Sequence, residues 1–336
     1  ISDFSSLKDL TQLHTLDLRS NSISDFSSLK DLTQLQTLYL SYNSISDFSS
    51  LKDLTQLHTL DLSSNSISDI SSLKDLTQLH TLDLSDNSIA DISILKGFTQ
   101  LHTLYLSYNS IADISVLKGL SQLHTLVLWG NSTSDISSLK GLTQLHTLDL
   151  SDNSIADISS LKGLTQLHTL DLSSNKQIKD FSILKRLPQL HTLYLSYNSI
   201  SDISALKNLK QLENLYLNNN PIHGLIREIY HPYKSCLEDL RAWEQALEQD
   251  EVAVHNHSIK IVLCGNGNVG KSSLLDALLG KAFEENKATT HAIHLEHLKI
   301  EEIDAWICMG FWRARDISWY TSFVHEVESG LFGGVG

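Results

Sequence analysis

Proline occurs 3 times and glycine 15 times in 336 residues, too seldom for a collagenous or low-complexity chain. No apolar run approaches the roughly 18 residues that a helix needs to span a bilayer, so no transmembrane segment is expected. Basic charge is also scarce, with 25 Lys and Arg against 39 Asp and Glu. The net charge of −14 offers no footprint for a phosphate backbone, which excludes nucleic acid as a partner. Cysteine is limited to Cys236, Cys264 and Cys308, an odd set outside any ligand spacing, as expected for reduced thiols of an intracellular, cytoplasmic protein. What remains is a globular composition, 41% hydrophobic and long enough for two ordinary domains. The chain opens at Ile1 in the middle of a pattern, without Met or a signal peptide, and is expected to be a fragment at both ends.

The pattern is an internal repeat. One asparagine recurs at Asn21, Asn43, Asn65, Asn87, Asn109, Asn131, Asn153, Asn175, Asn198 and Asn220, a period of 22 with one step of 23. Around it stands L-x-x-L-x-L-x-x-N-x-I, written first as Leu13, Leu16, Leu18, Asn21 and Ile23. Leu16 and Leu18 alternate with Thr15 and Asp17, which turns the leucines inward on a short strand and the polar pair outward. One strand per unit predicts a parallel sheet. The asparagine follows each strand where the chain turns, and its amide can satisfy backbone groups that the turn leaves open. Phe4, Leu7 and Leu10 are spaced by three, which suits a 3₁₀ return on the convex side. No unit can bury its core alone, so stability should come from stacking on neighbours, with polar caps needed at the ends. The motif resembles the leucine-rich repeat family over residues 1–222.

The outward strand positions are where such a solenoid could read a partner. The one that begins with Asp17 varies: Asp17, Tyr39, Asp61, Asp83, Tyr105, Val127, Asp149, Asp171, Tyr194, Tyr216. Tyr42, Tyr108, Trp129 and Tyr197 lie nearby, and Gly130 and Thr133 break the regularity beside Trp129. Aromatic side chains are favoured anchors, so Tyr39, Tyr105, Tyr108, Trp129, Tyr194 and Tyr197 are the candidate residues for a protein partner on the concave face. The competing reading is neutral drift on a solvated surface. Eight histidines, from His14 to His191, share one repeat position and should form a column spaced by roughly 5 Å. A ladder does not converge as metal ligands must, so the column reads as a repeated surface residue, and no metal is assigned to it.

Beyond Asn220 the repeat decays through Pro221 and Pro232. Ser235 to Glu238 reads as a capping box, and Leu237, Leu240, Trp243 and Leu247 share one face of an amphipathic helix expected over 236–250, within a linker of residues 223–257. Ile259 to Cys264 then reads as a buried strand feeding Gly265-Asn266-Gly267-Asn268-Val269-Gly270-Lys271-Ser272, a G-x-x-x-x-G-K-S loop. In that strand-loop-helix setting the amides from Asn268 to Ser272 would face phosphate oxygens. Lys271 would bridge the β- and γ-phosphates, and Ser272, with Ser273 beside it, would offer a hydroxyl to Mg²⁺.

Leucine-rich repeats followed by a loop of the form GNxxVGKSSLL resemble the Roco family, in which a Ras-of-complex (Roc) GTPase domain precedes a COR dimerisation domain. The resemblance covers residues 258–303, within a Roc segment taken as 258–309. It implies GTP or GDP with Mg²⁺ as cofactors, and a homodimer only in the intact parent. It also implies that Thr290, in Thr290-His291-Ala292-Ile293, closes on Mg²⁺ and the γ-phosphate, although Ala292 stands where the family has glycine. The implied fold class is α/β: a leucine-rich-repeat solenoid followed by an incomplete P-loop GTPase-like unit. Neither D-x-x-G nor N-K-x-D occurs between Ile303 and Gly336, so GTP hydrolysis is expected of the parent and not of this chain. The alternative function is a non-enzymatic protein-binding solenoid with a remnant P-loop.

Residues 310–336 read as an out-of-frame translation. Met309 to Tyr320 can be encoded so that a one-base shift yields W-D-F-G-G-Q-E-I-Y-H-G, which is similar to the absent switch segment; Met309, Trp312 and Trp319 have single codons and constrain the match.

Overall fold

In the computed structural model the described residues are 5–23, 26–222, 235–238 and 240–241, with the backbone of 259–264, 294–300 and 303–310. The chain divides into two compact units, Ile1–Trp243 and Glu244–Gly336.

The first unit is the predicted solenoid. Ten three-residue strands, β1 (Thr15–Asp17), β2 (Thr37–Tyr39), β3 (Thr59–Asp61), β4 (Thr81–Asp83), β5 (Thr103–Tyr105), β6 (Thr125–Val127), β7 (Thr147–Asp149), β8 (Thr169–Asp171), β9 (Thr192–Tyr194) and β10 (Asn214–Tyr216), form one parallel sheet in sequence order. Equivalent residues pair without slippage, Leu38 on Leu60 and Leu104 on Leu126, because a shift of one would turn every leucine out of the core. The central leucines from Leu38 to Leu193 are fully buried. Each coil returns through a 3₁₀ segment such as Ser93–Gly97 or Ser115–Gly119, where spacing by three packs one leucine per turn inward. An aspartate opens these turns: Asp91, Asp113 and Asp135 accept the N–H of the serine two residues on at 2.7 or 2.8 Å, which holds their carboxyls below the usual range.

The asparagine column joins the coils. Asn43 Nδ2 donates to the Leu40 carbonyl of its own coil and the Leu18 carbonyl of the preceding one, at 3.0 and 3.1 Å. Its Oδ1 accepts the Ile23 N–H at 3.0 Å, so one side chain satisfies both polar senses of the preceding turn. The extra residue of the 23-residue coil changes a single rung, where Asn198 Oδ1 takes the N–H of Asn175 itself, at 2.9 Å.

Thr133 departs from the repeat inside the core: it is fully buried at the isoleucine position of its coil, with its hydroxyl donating to the Ile111 carbonyl at 3.3 Å. Thr133→Ile is expected to raise stability by about 1 kcal/mol, since a long hydrogen bond is exchanged for apolar packing, and thermal unfolding checks it. The Ser235 hydroxyl does not pair with Glu238 in a box; it accepts the Leu215 N–H at 3.0 Å and the Leu237 N–H at 3.4 Å. Cys236 donates its N–H to the Leu215 carbonyl at 2.8 Å, so this segment closes the free edge of β10. Cys236, Leu237 and Leu240 are buried there, which makes the segment the cap of the last coil. Trp243, Leu247 and the rest of the expected helix lie outside the described residues.

The second unit contributes three strands, β11 (Ile259–Cys264), β12 (His294–Ile300) and β13 (Ile303–Gly310), in the order β11-β13-β12. β11 runs parallel to β13 and β12 antiparallel to it, with Ile300 opposite Ile303. β11 coincides with the strand expected before the glycine-rich loop.

Candidate functional site

A second column lies beside the asparagines. In every coil the residue just before the asparagine has positive φ: 56° at Tyr42, 50° at Tyr108, 58° at Tyr197 and 66° at Gly130, with serine, aspartate or asparagine at the others. Tyrosine is strained in this region by about 1–2 kcal/mol, yet three coils place it there. The turn throws the rings outward, leaving Tyr42, Tyr108 and Tyr197 65, 47 and 49% exposed. The sequence carried one sign of this backbone demand, Gly130 in the same column.

Gly130 serves the neighbouring coil as well. A Cβ there would stand 2.9 Å from Cδ1 of Tyr108, so glycine is what lets that ring lie against the turn. Tyr108 and Trp129 then meet with ring centroids 4.5 Å apart at 51°, an aromatic pair open to solvent.

The candidates do not form one patch. Tyr105, on β5, shares the middle of the array with Tyr108 and Trp129. Tyr194, on β9, stacks on Tyr216 of β10 at 4.5 Å and 8°, close to Tyr197, and burial raises the Tyr194 hydroxyl above its ordinary value. Tyr39, on β2, stands apart, with the Arg19 guanidinium 5.0 Å over its ring. Tyr216 and two aspartates, Asp149 and Asp171, were missed as site residues because the sequence shows them as members of a column rather than as neighbours.

Asp149 and Asp171 are directly paired on β7 and β8. Each holds the backbone N–H of its own turn: Ser151 N–H donates to Asp149 Oδ1 at 2.9 Å and Ser173 N–H to Asp171 Oδ1 at 2.8 Å. Burial, and then the charge of Asp149, push the Asp171 carboxyl up to about 6. A cleft of about 530 Å³ opens over the pair, walled by Trp129 at one side and Tyr194, Tyr197 and Tyr216 at the other.

The histidine column has the expected spacing, with ring centroids 5.1–5.4 Å apart from His58 to His191. Nδ1 of His124, His146, His168 and His191 lies 2.7 Å from the glutamine carbonyl two residues earlier. Among the described residues no group of three or more His, Cys, Asp or Glu could hold a metal ion, and no helix is long and apolar enough to cross a membrane.

The nucleotide candidates Gly265, Asn266, Gly267, Asn268, Val269, Gly270, Lys271, Ser272, Ser273 and Thr290 lie outside the described residues, as does the tail from residue 311. β11 ends at Cys264, directly before the loop's first glycine.

Comparison with known proteins accords with both units. A model described as Leucine Rich repeats (2 copies) matches residues 11–53, 33–75, 55–97, 77–119, 99–141, 143–186 and 188–229. A model of Ras of Complex, Roc, domain of DAPkinase matches residues 260–312. Among solved structures, an internalin (inlF) from Listeria monocytogenes is 33% identical with a TM-score of 0.61, over 68% of this chain and 74% of that one. An internalin C2 (inlC2) from the same organism is 32% identical with a TM-score of 0.52, over 63% of this chain and 84% of that one. No curated protein matches the chain. The chain thus belongs to the leucine-rich repeat proteins, its solenoid followed by a partial match to the Roc domain.

Proposed function

We propose that the protein binds a protein partner on its concave sheet and that the Roc-like segment makes this binding responsive to guanine nucleotide, as a Roco-type cytoplasmic switch. The observation that carries the partner-binding half is the Tyr108–Trp129 pair: a strained tyrosine and an adjacent glycine together hold two large rings open to solvent. Such preformed aromatic area loses little side-chain entropy on binding, and this favours it as an anchor.

The nucleotide half rests on the G-x-x-x-x-G-K-S run from Gly265 to Ser272, on its position after β11 and on the family match over 260–312. Lys271 would hold the β- and γ-phosphates, and Ser272 and Thr290 would hold Mg²⁺, which supplies charge neutralisation at the phosphates. With neither D-x-x-G nor N-K-x-D after Ile303, this 336-residue chain is expected to show no GTP hydrolysis. The same absence favours the second reading, a non-enzymatic solenoid whose P-loop leaves partner binding ungated.

The test has two arms. Tyr108→Ala and Trp129→Ala should each weaken a purified partner at least tenfold, and unchanged affinity removes the aromatic pair from the reading. Fluorescent GTP with Mg²⁺ should bind the full chain and modulate the partner, with both effects lost in Lys271→Ala. A preference for ATP overturns the guanine assignment, whereas partner binding indifferent to Lys271→Ala selects the ungated solenoid.

A further inference from the structure

The concave face sets carboxylates directly opposite each other at β3 and β4, where Asp61 faces Asp83, and at β7 and β8. Val127, Asp149, Asp171, Tyr194 and Tyr216 follow one another on paired rungs, which sets the two carboxylates one strand spacing apart, about 5 Å, with stacked tyrosines beside them. Asp152 adds a third acid to the cleft, and no lysine, arginine or histidine lines it. The Ser151 N–H and hydroxyl both donate to Asp149 Oδ1, the Ser173 N–H donates to Asp171 Oδ1, and the Ser173 side chain also bonds the Asp171 carboxylate. Two like charges are thus held together, half-buried, with flat aromatic faces alongside.

The other end of the same sheet shows what satisfies this arrangement. Arg19, two residues after Asp17, donates from Nε and Nη2 to the Asp17 carboxylate at 3.0 and 2.7 Å. Its guanidinium lies 5.0 Å over Tyr39 on the next rung, within reach of the Asp61 charge. Asp17, Tyr39 and Asp61 therefore form a carboxylate and aromatic seat filled by the chain's own guanidinium. After Asp149 and Asp171 the position of Arg19 is held by Ser151 and Ser173, so the second seat has the acids and the rings without the cation.

Resting on the partner-binding role of the concave face, we propose that the Asp149–Asp171 cleft receives an arginine side chain of the partner protein. A metal ion is disfavoured because the described residues offer no three-ligand cluster. A planar guanidinium can fork between two carboxylates and lie against Tyr194, whereas an ammonium is a point charge that uses neither the pairing nor the flat wall.

The probe is the blocked tripeptide Gly-Arg-Gly, titrated into the full chain by saturation-transfer NMR beside its citrulline counterpart, which keeps the shape without the charge. The arginine peptide should bind, the citrulline peptide should bind at least tenfold more weakly, and Asp149→Asn and Asp171→Asn should each weaken the arginine peptide at least fivefold. Asparagine keeps an oxygen for the Ser151 or Ser173 N–H, and circular dichroism verifies that both variants fold. Equal binding of citrulline or of the lysine peptide, no loss in the Asn variants, or an equal loss in Asp61→Asn would each overturn the proposal. An arginine peptide that binds as expected while Tyr108→Ala leaves the partner unaffected keeps this cleft and removes the aromatic pair. The reverse pattern removes the cleft alone.

Discussion

Asn175→Ala is expected to lower stability by about 3 kcal/mol and to make the array melt in two steps instead of one. Asn175 is fully buried, and its amide is surrounded by the carbonyls of Leu150, Leu172 and Ser173 at 2.9, 3.3 and 3.1 Å. Its Oδ1 accepts the Ile155 N–H at 3.1 Å. Alanine would strand at least one buried donor and one acceptor, each costing about 1–3 kcal/mol because no water can reach it. The site is also where the ladder changes partner, since the Asn175 N–H binds Asn198 in place of the following isoleucine. A solenoid is stabilised by nearest-neighbour interfaces, so weakening one of them uncouples what lies on either side. Denaturant unfolding followed by hydrogen exchange should show the coils of β9 and β10 opening before those of β4 to β6. A single cooperative transition within 1 kcal/mol of the parent would contradict this account of the column.

Asp171→Asn should have the opposite sign at neutral pH. The Asp171 carboxyl titrates at about 6 in the fold, raised by burial first and by Asp149 second. In the unfolded chain it titrates near the ordinary carboxylate value of about 4. Between those values the native state holds the proton more tightly, so stability falls as pH rises from about 4 to about 6 and stays low above. Asparagine cannot ionise and keeps the bond to Ser173. The variant should therefore be more stable than the parent by about 1–2 kcal/mol at pH 7.5, allowing for solvent at the rim of the cleft, with the gain gone near pH 4. His102, whose imidazole is held below its usual value chiefly by burial, acts in the other direction on acidification. The difference between parent and variant cancels it. Melting curves at pH 4, 5, 6 and 7.5 decide the matter, and an Asn variant less stable at pH 7.5 would mean that the carboxylate is compensated in the fold. A site that binds better and folds worse with the same residue is what preorganisation for a cation requires.

The solenoid was legible because each coil stacks on near copies of itself: period 22 fixes the rungs, and the alternation of Leu16 and Leu18 fixes the face. The cleft was not legible for the same reason. Aspartate fills five of ten places in its column, and nothing local marks Asp149 and Asp171 as different from Asp61 and Asp83 until the rings of Trp129, Tyr194 and Tyr216 are placed around them. Thr133 shows in the sequence as a break in the repeat, and the column of Ile111 and Ile155 buries it. The left-handed turn escaped because tyrosine and serine outnumber glycine there, against their own backbone preference.

The asparagine ladder makes neighbouring coils interchangeable parts. Asn65, Asn87, Asn109 and Asn153 each reach a carbonyl 25 residues back and accept an N–H 20 residues back. Loss or gain of one 22-residue unit among them would rejoin identical surfaces, shortening or lengthening the sheet by about 5 Å without exposing new core. Length is thus free to drift by unequal exchange, but the distance between the Arg19 seat and the Asp149–Asp171 cleft would drift with it. A partner that engages both ends of the sheet would sense the number of coils between them, whatever their sequence.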